Sequence, residues 1–321
     1  MAADLDIVTG AFGYTGKYIA RRLLARGRRV KTLTGHPDRA DPFGGRVATA
    51  PLDFDRPAEI CANLRGVHTL YNTYWVRFER WPMTFARAVR NTKVLIDAAG
   101  EAGVRRVVHL SIINPSRTSP LPYFSGKAEV EEYIARSAVP HVIIRPALVF
   151  GPEDILINNI AWLVRNFPFF IVPGDGAYRL QPVFVEDLAD LAVKLAGRHE
   201  DLVVDAVGPE VYTFDELVRT IAEALRRKVV IVHCRPGFAT AVAALIGRLL
   251  GDEMLTADEV RGLSAELLIS SGPPTCQTGL RKWLHAGAET LGSEYASELQ
   301  RHYRLRGGLG ERSLIDRARK L

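Results

Sequence analysis

An apolar run over residues 6–9 stops at Gly10, and the next apolar positions fall at helical spacing, with Ile19, Leu23 and Leu24 on one face of a helix over residues 14–26. Gly27 closes that helix as a C-cap. Short runs rich in β-branched residues then recur at 29–34, 47–50, 69–72, 106–112, 141–145 and 202–206, with helical patterns between most of them, including 185–196. A parallel pair of strands needs a crossover, and a helix is the usual one. The alternation therefore predicts an α/β fold with a doubly wound parallel sheet of seven strands.

The alternation breaks at residues 151–180, which are rich in Asn, Phe and Pro (NFPFFIVPGDG) and predict an excursion out of the sheet. Thr213 and Glu216 in TFDE form a capping box that opens a helix over 215–225, and 228–233 read as a short extra strand. The remainder is mainly helical. Pro236–Leu250 is nearly uncharged but too short to cross ~30 Å of hydrocarbon. It predicts a buried or ligand-covering helix, with an interfacial membrane helix as the alternative. Gly307 to Gly310 reads as a hinge before a basic tail carrying Arg312, Arg317, Arg319 and Lys320.

Composition narrows the class. A chain of 321 residues exceeds what one core usually organises, which predicts one large or two interlocked domains. The formal charge is +6, but its cations are spread along the chain among 36 acids, which favours anionic ligands weakly and no nucleic acid. Cys61, Cys234 and Cys276 show no metal-ligand spacing, so no metal site is expected and a reducing cytosol is the natural setting. The opening MAADLDIVTG carries acids where a secretion signal carries Lys or Arg, and a cytoplasmic protein is expected.

The turn after the first strand places Gly10, Gly13 and Gly16 at GxxGxxG spacing where a helix begins. Gly10 permits the tight turn, Gly13 lets backbone approach a pyrophosphate, and Gly16 lets helix and strand pack closely. Phe12, Tyr14 and Thr15 line this turn, and the backbone amides of residues 12–15 are the expected phosphate donors of a dinucleotide site. At the end of the second strand His36 follows Thr34 and Gly35 with no carboxylate to take a ribose diol, and Arg39 is near enough to meet a 2′-phosphate. NAD(P)(H) is thus the expected cofactor, with NADP favoured over NAD. Asp53, with Phe54 beside it, is a candidate for the adenine amino group or for a turn cap.

Tyr123 and Lys127 stand four apart in PYFSGKAEVEEYI and share a helix face. A nearby ammonium favours the tyrosinate, so the phenol can give or take a proton at an alcohol carbon while Lys127 also holds the nicotinamide ribose. Ser111 ends the fifth strand in HLSIINPS, at the carboxyl edge where open α/β sheets bind ligands. Tyr74, Trp75, Trp81 and Phe124 are candidates for pocket walls or for core. Arg145 reads as a salt-bridge partner, and His36, His109 and His233 as satisfied structural histidines.

In that order, the glycine turn, the serine-ended strand and the Tyr–Lys pair resemble the short-chain dehydrogenase/reductase superfamily in its extended and atypical branches. TGAFGYTG, Asp53, HLS, YFSGK and RPALVFGPED look most like its NmrA-like and complex I accessory-subunit-like group, often labelled NAD-dependent epimerase/dehydratase. QPVFVEDLAD is similar to the family segment that returns to the Rossmann domain. The resemblance implies a catalytic triad of Ser111, Tyr123 and Lys127 and cofactor contacts from Gly10, Gly13, Gly16 and Asp53. It also places Asn72 and Thr73, in the loop NTYWV, over the nicotinamide half, with Pro146 to Val149 on its other face. Only twelve positions separate Ser111 from Tyr123, shorter than extended sugar-nucleotide epimerases usually show, which argues against assuming a sugar-nucleotide substrate.

The implied organisation is a dinucleotide-binding Rossmann domain over 1–150 plus about 181–208, and a smaller, mostly helical substrate or cap domain over about 151–180 plus 209–321. The expected activity is an NAD(P)-dependent oxidoreductase moving a hydride between nicotinamide and a carbonyl or secondary alcohol of a small molecule, with Tyr123 as acid or base. The alternatives are an epimerase or dehydratase that recycles its cofactor, and a non-catalytic NAD(P)-binding sensor or assembly subunit. The last would use Pro236–Leu250 and the basic tail for peripheral membrane or protein contact. A homodimer stays open.

Overall fold

The computed structural model describes residues 4–253, 256–297 and 299. The hinge at Gly307 to Gly310 and the basic tail lie outside them. The chain forms two compact units. The first joins Met1–Val149 with Val183–Pro209 and Ser270–Thr278; the second joins Phe150–Pro182, Glu210–Ile269 and Gly279–Leu321.

In the first unit strands β1 (Leu5–Thr9), β2 (Arg29–Thr34), β3 (Val47–Pro51), β4 (Val67–Asn72), β5 (Arg106–Leu110) and β6 (His141–Pro146) alternate with helices α1 (Tyr14–Ala25), α2 (Pro57–Leu64), α3 (Phe85–Glu101) and α4 (Pro122–Arg136). Leu202–Ala206 adds a seventh strand at the outer edge of β6, and the order continues β5, β4, β1, β2, β3. Every pairing is parallel. Successive side chains leave opposite faces of a strand, so Ile7 and Val8, Val107 and Val108, or Ile143 and Ile144 feed two different cores. One core lies under α1 and the helix Val185–Leu195; the other takes Ile60, Leu95, Ile96, Val130 and Ile134 from α2, α3 and α4. Helices on both faces are the doubly wound arrangement. The order reverses between β1 and β4, where such sheets open a crevice at their carboxyl ends.

Ion pairs tie the layers. Arg28 holds the fully buried Asp6 with two bonds of 2.6 and 2.7 Å, and Arg22 holds Glu186 at 2.8 Å and Asp190 at 2.9 Å. Strand β5 ends at Leu110 rather than at Ile112, although Ser111 and Ile113 still donate to the carbonyls of Ile144 and Pro146.

In the second unit residues 151–180 do leave the seven-stranded sheet, yet they contain a helix, Leu156–Asn166, and a strand, Phe169–Pro173. That strand pairs in parallel with Val230–Cys234 as a separate two-stranded sheet. The capping box forms as expected, with Thr213 and Glu216 exchanging bonds of 2.8 and 3.2 Å at the start of the helix Phe214–Ala224. Pro236–Leu250 is a helix, but its expected burial is corrected: Phe238 and Leu245 are 58% and 60% exposed. Trp81 is 89% exposed, so it is neither core nor pocket wall. Among the described residues no helix is long and apolar enough to cross a membrane.

Candidate active site

Strand β1 ends at the glycine turn. Gly10 adopts φ +64°, a left-handed backbone that a side chain would strain, and its amide donates to the Leu33 carbonyl at 3.0 Å. The next amide, of Ala11, donates at 3.0 Å to the buried Thr32 hydroxyl, which itself donates to the Val8 carbonyl at 2.9 Å. The first amides of the turn thus fix it against β2. A Cβ on Gly16 would stand 2.4 Å from the Gly10 oxygen, and one on Gly13 would stand 3.1 Å from it and 3.7 Å from a guanidinium nitrogen of Arg39. Helix α1 starts at Gly13 with no side-chain cap and no acid in its first turn. Its positive end therefore faces a cradle that only glycine leaves open, and these residues fit a dinucleotide pyrophosphate. Phe12, Tyr14 and Thr15 stand half-buried along it, and Phe12 reaches Phe43 with ring centroids 6.3 Å apart.

A buried polar network joins this turn to the ends of β4 and β5. Thr73 donates its amide to the Thr9 hydroxyl at 2.8 Å and its own hydroxyl to the Thr9 carbonyl at 2.5 Å. The Asn72 carboxamide oxygen accepts the Tyr74 amide at 3.0 Å and lies 3.3 Å from the Thr9 hydroxyl. That orients the carboxamide, so its nitrogen donates to His109 Nδ1 at 3.0 Å. The His109 proton then sits on Nε2, an atom that is buried and has no partner. Burial, and then the charge of Lys127, hold the ring well below the usual histidine range and keep it neutral.

Helix α4 supplies the candidate acid–base pair, entered through Pro122 in its first turn. Lys127 is 2% exposed and donates to the Leu110 carbonyl at 2.8 Å. Burial pushes its ammonium down to about 7, and the negative charge of Glu131 opposes the fall. The Trp75 ring stands 4.3 Å from this nitrogen. A Cβ on Gly126 would stand in ordinary contact with Trp75 at 3.5 Å and tightly against Val89 at 3.2 Å. Tyr123 is half-buried with its ring edge-on to Trp75 at 6.0 Å and to Phe85 at 5.6 Å. Ser111 is 5% exposed, and its hydroxyl makes no hydrogen bond. His109 and Ser111, two apart at the end of β5, flank the carbonyl that Lys127 holds.

Thr73 lies against Gly10, within 3.8 Å of where a Cβ would be. Asn72 is fully buried and its carboxamide is taken up by the network. His36 is exposed, with its amide bound to Thr34. Asp53 accepts the Asp55 amide at 3.0 Å and faces Arg56 at 3.6 Å, the turn-capping arrangement, while Phe54 meets the ring of Tyr74 at 4.8 Å. Pro146 is buried at the end of β6, and Val149 packs with Phe12 and Tyr14 against the core under α1. Arg145 pairs with Glu131 at 2.5 Å, as its reading as an ion-pair partner expects. His109 meets its reading by half: Nδ1 is satisfied by Asn72, and Nε2 is not. The only signal in the sequence was its place two residues before Ser111 on the same strand face. Trp75, read as wall or core, lies over Lys127, which no spacing rule indicates.

Residues 10–154 match the family described as NAD(P)H-binding. Over 282 residues, 82% of this chain and 70% of the relative, the sequence is 25% identical to NADH dehydrogenase (ubiquinone) 1 alpha subcomplex subunit 9, mitochondrial, of Arabidopsis thaliana. It is 34% identical over 184 residues to sterol demethylase protein B of Methylococcus capsulatus, covering 50% of this chain and 56% of that protein. The triphenylmethane reductase of Citrobacter sp., solved with NADP(H), superposes with a TM-score of 0.73 at 19% identity, over 88% of this chain and 99% of that one. An NAD(P)H-binding match built on this sheet, with these likenesses, fits the extended and atypical branch of the short-chain dehydrogenase/reductase superfamily, in its NmrA-like and complex I accessory-subunit-like group.

Proposed function

We propose that the protein is an NAD(P)-dependent oxidoreductase acting on a carbonyl or secondary alcohol of a small molecule. One observation carries this reading: the Ser111 hydroxyl and His109 Nε2 are buried without partners at the end of β5, beside the Lys127 ammonium. Buried donors without acceptors cost about 1–3 kcal/mol each, and a substrate oxygen would satisfy them. The dinucleotide, when bound, supplies or accepts the hydride. Gly10, Gly13, Gly16 and the first turn of α1 hold its pyrophosphate, and Arg39, lying against Gly13, favours the 2′-phosphate of NADP. Tyr123 gives or takes the proton at the substrate oxygen, Ser111 orients that oxygen, and the Lys127 charge favours the tyrosinate.

The test is turnover of NADPH with a panel of ketones, aldehydes and quinones by the protein and by Tyr123→Phe. Loss of a general acid lowers the rate by about 10²–10⁴-fold. Equal turnover by the variant would refute the assignment. Turnover of an alcohol without net change in nicotinamide absorbance would point instead to epimerase or dehydratase chemistry.

A second reading is an assembly subunit that binds the dinucleotide without turnover, favoured by the likeness to a subunit of NADH dehydrogenase. It predicts NADPH binding with no reaction on any member of the panel, and co-purification with protein partners. Residence in the cytoplasm and a homodimer complete the enzymatic reading, and size-exclusion mass measurement tests the latter.

A further inference from the structure

Helix Pro236–Leu250 inverts the usual pattern of a surface helix. Its polar residues are Thr240 and Arg248 alone, and among its described side chains Phe238, Ala241, Ala244 and Leu245 are exposed. Phe238 and Leu245 are 58% and 60% exposed and seven apart, so they share one stripe, with Ala241 and Val242 between them. Among the described side chains of the helix, Ala239 and Gly247 are the buried ones. The strand just before it adds to the display. Val230 and Val232, on one strand face, are 65% and 45% exposed, and Phe169, in register with Val230, is 49% exposed. Scattered exposed apolar residues are normal; a set along a continuous helix and strand marks an interaction surface.

Charge decides what it meets. From Ala224 to Gly251 there is no Asp or Glu, and Arg226, Arg227, Lys228, Arg235 and Arg248 are all exposed. Among the described residues none of the five has an ion-pair partner. Elsewhere in the same unit Arg219, Arg261 and Arg281 pair with Asp215, Asp258 and Glu223. A second copy meeting through the same face would bring ten like charges together. A protein interface carries about one hydrogen bond per 100–200 Å², but Thr240, the helix's one uncharged polar side chain, spends its hydroxyl on the carbonyls of Pro236 and Gly237. An apolar stripe inside an acid-free stretch with five cations, the nearest acids being Glu223 before it and Asp252 and Glu253 after it, fits acyl chains beneath anionic headgroups. Fifteen residues make a helix of about 22 Å, too short to cross the hydrocarbon core but enough to lie in its interface.

We propose that Val230–Cys234 and Pro236–Leu250 form a docking face for an anionic lipid surface. This surface is independent of the dinucleotide site, so its failure leaves the oxidoreductase reading intact. The test is flotation of the full-length protein with vesicles of phosphatidylcholine alone and of phosphatidylcholine mixed with phosphatidylglycerol. Binding is expected to the mixed vesicles, weakened by high salt. Removing three cations in R226Q/R227Q/K228Q lowers partitioning on the order of a hundredfold, at about 1 kcal/mol per cation. Phe238→Ser with Leu245→Ser abolishes flotation while NADPH binding and the thermal unfolding profile, measured on the same samples, stay unchanged and show that both units of the variants fold. The proposal is overturned if the protein stays with the soluble fraction on mixed vesicles. It is equally overturned if the double serine variant floats like the parent, since the cations of the C-terminal tail would then be the anchor, or if concentration-dependent dimerisation replaces lipid binding.

Discussion

Replacing Lys127 by Met should stabilise the protein and inactivate it. The ammonium is 2% exposed and held down to about 7 against 10.5 in the unfolded chain, which amounts to about 5 kcal/mol of preference for the neutral amine. A depressed lysine costs most where both states are protonated, below about 7, and the cost falls as pH rises to 10.5, because there the unfolded chain binds the extra proton. The parent therefore gains stability relative to Lys127→Met by about 3 kcal/mol between about pH 6 and pH 9. At roughly 2–4 °C per kcal/mol, the advantage of the variant in Tm shrinks by on the order of 6–12 °C across that range. Met is close in length and apolar, so it fills the volume under Trp75 without the charge. Thermal unfolding of both proteins followed by intrinsic fluorescence at the two pH values is the assay, with NADPH turnover on the same samples. A Tm difference that does not move with pH would refute the buried, depressed ammonium. A variant that is less stable at pH 6 would mean that the bond to the Leu110 carbonyl and the Trp75 face outweigh burial.

Ser111→Ala removes a buried hydroxyl without a partner, so Tm holds or rises by about 1 kcal/mol equivalent while turnover falls; an unfolded variant would show that the hydroxyl is structural. Gly16→Ala drives a Cβ to 2.4 Å from the Gly10 oxygen, and a loss of about 1–3 kcal/mol in denaturant unfolding with loss of dinucleotide binding is expected; normal NADPH affinity would contradict the cradle. Arg39→Ala should weaken NADPH on the order of tenfold to a hundredfold in fluorescence titration and leave NADH unchanged, and equal effects on both would remove the 2′-phosphate assignment.

Much of the first unit is legible in the chain because its causes are local. A strand buried on both faces must be continuously apolar, a crossover must be helical, and a helix packed on a turn must have glycine there, so Gly10, Gly13, Gly16 and the seven strands leave direct marks. The Tyr–Lys spacing and the capping box at Thr213 and Glu216 likewise depend on residues three or four apart. Other features depend on partners far away in sequence. Whether His109 Nδ1 was satisfied depended on the orientation of Asn72, 37 residues earlier, and the Trp75 ring came to rest on Lys127 across a long stretch of sequence. Residues 270–278 join the first unit through bonds from Thr275 to Asp205 and from Gln277 and Thr278 to Asp187, which no local pattern encodes.

The sequence by itself determined the doubly wound sheet and the glycine turn after its first strand, since both follow from periodicity and from the missing Cβ of glycine. Only the tertiary structure decided which polar atoms remain without partners and which apolar side chains remain in water. Pro236–Leu250 shows why: its composition reads as burial, but burial is a property of what packs against a helix, and nothing among the described residues covers Phe238 or Leu245.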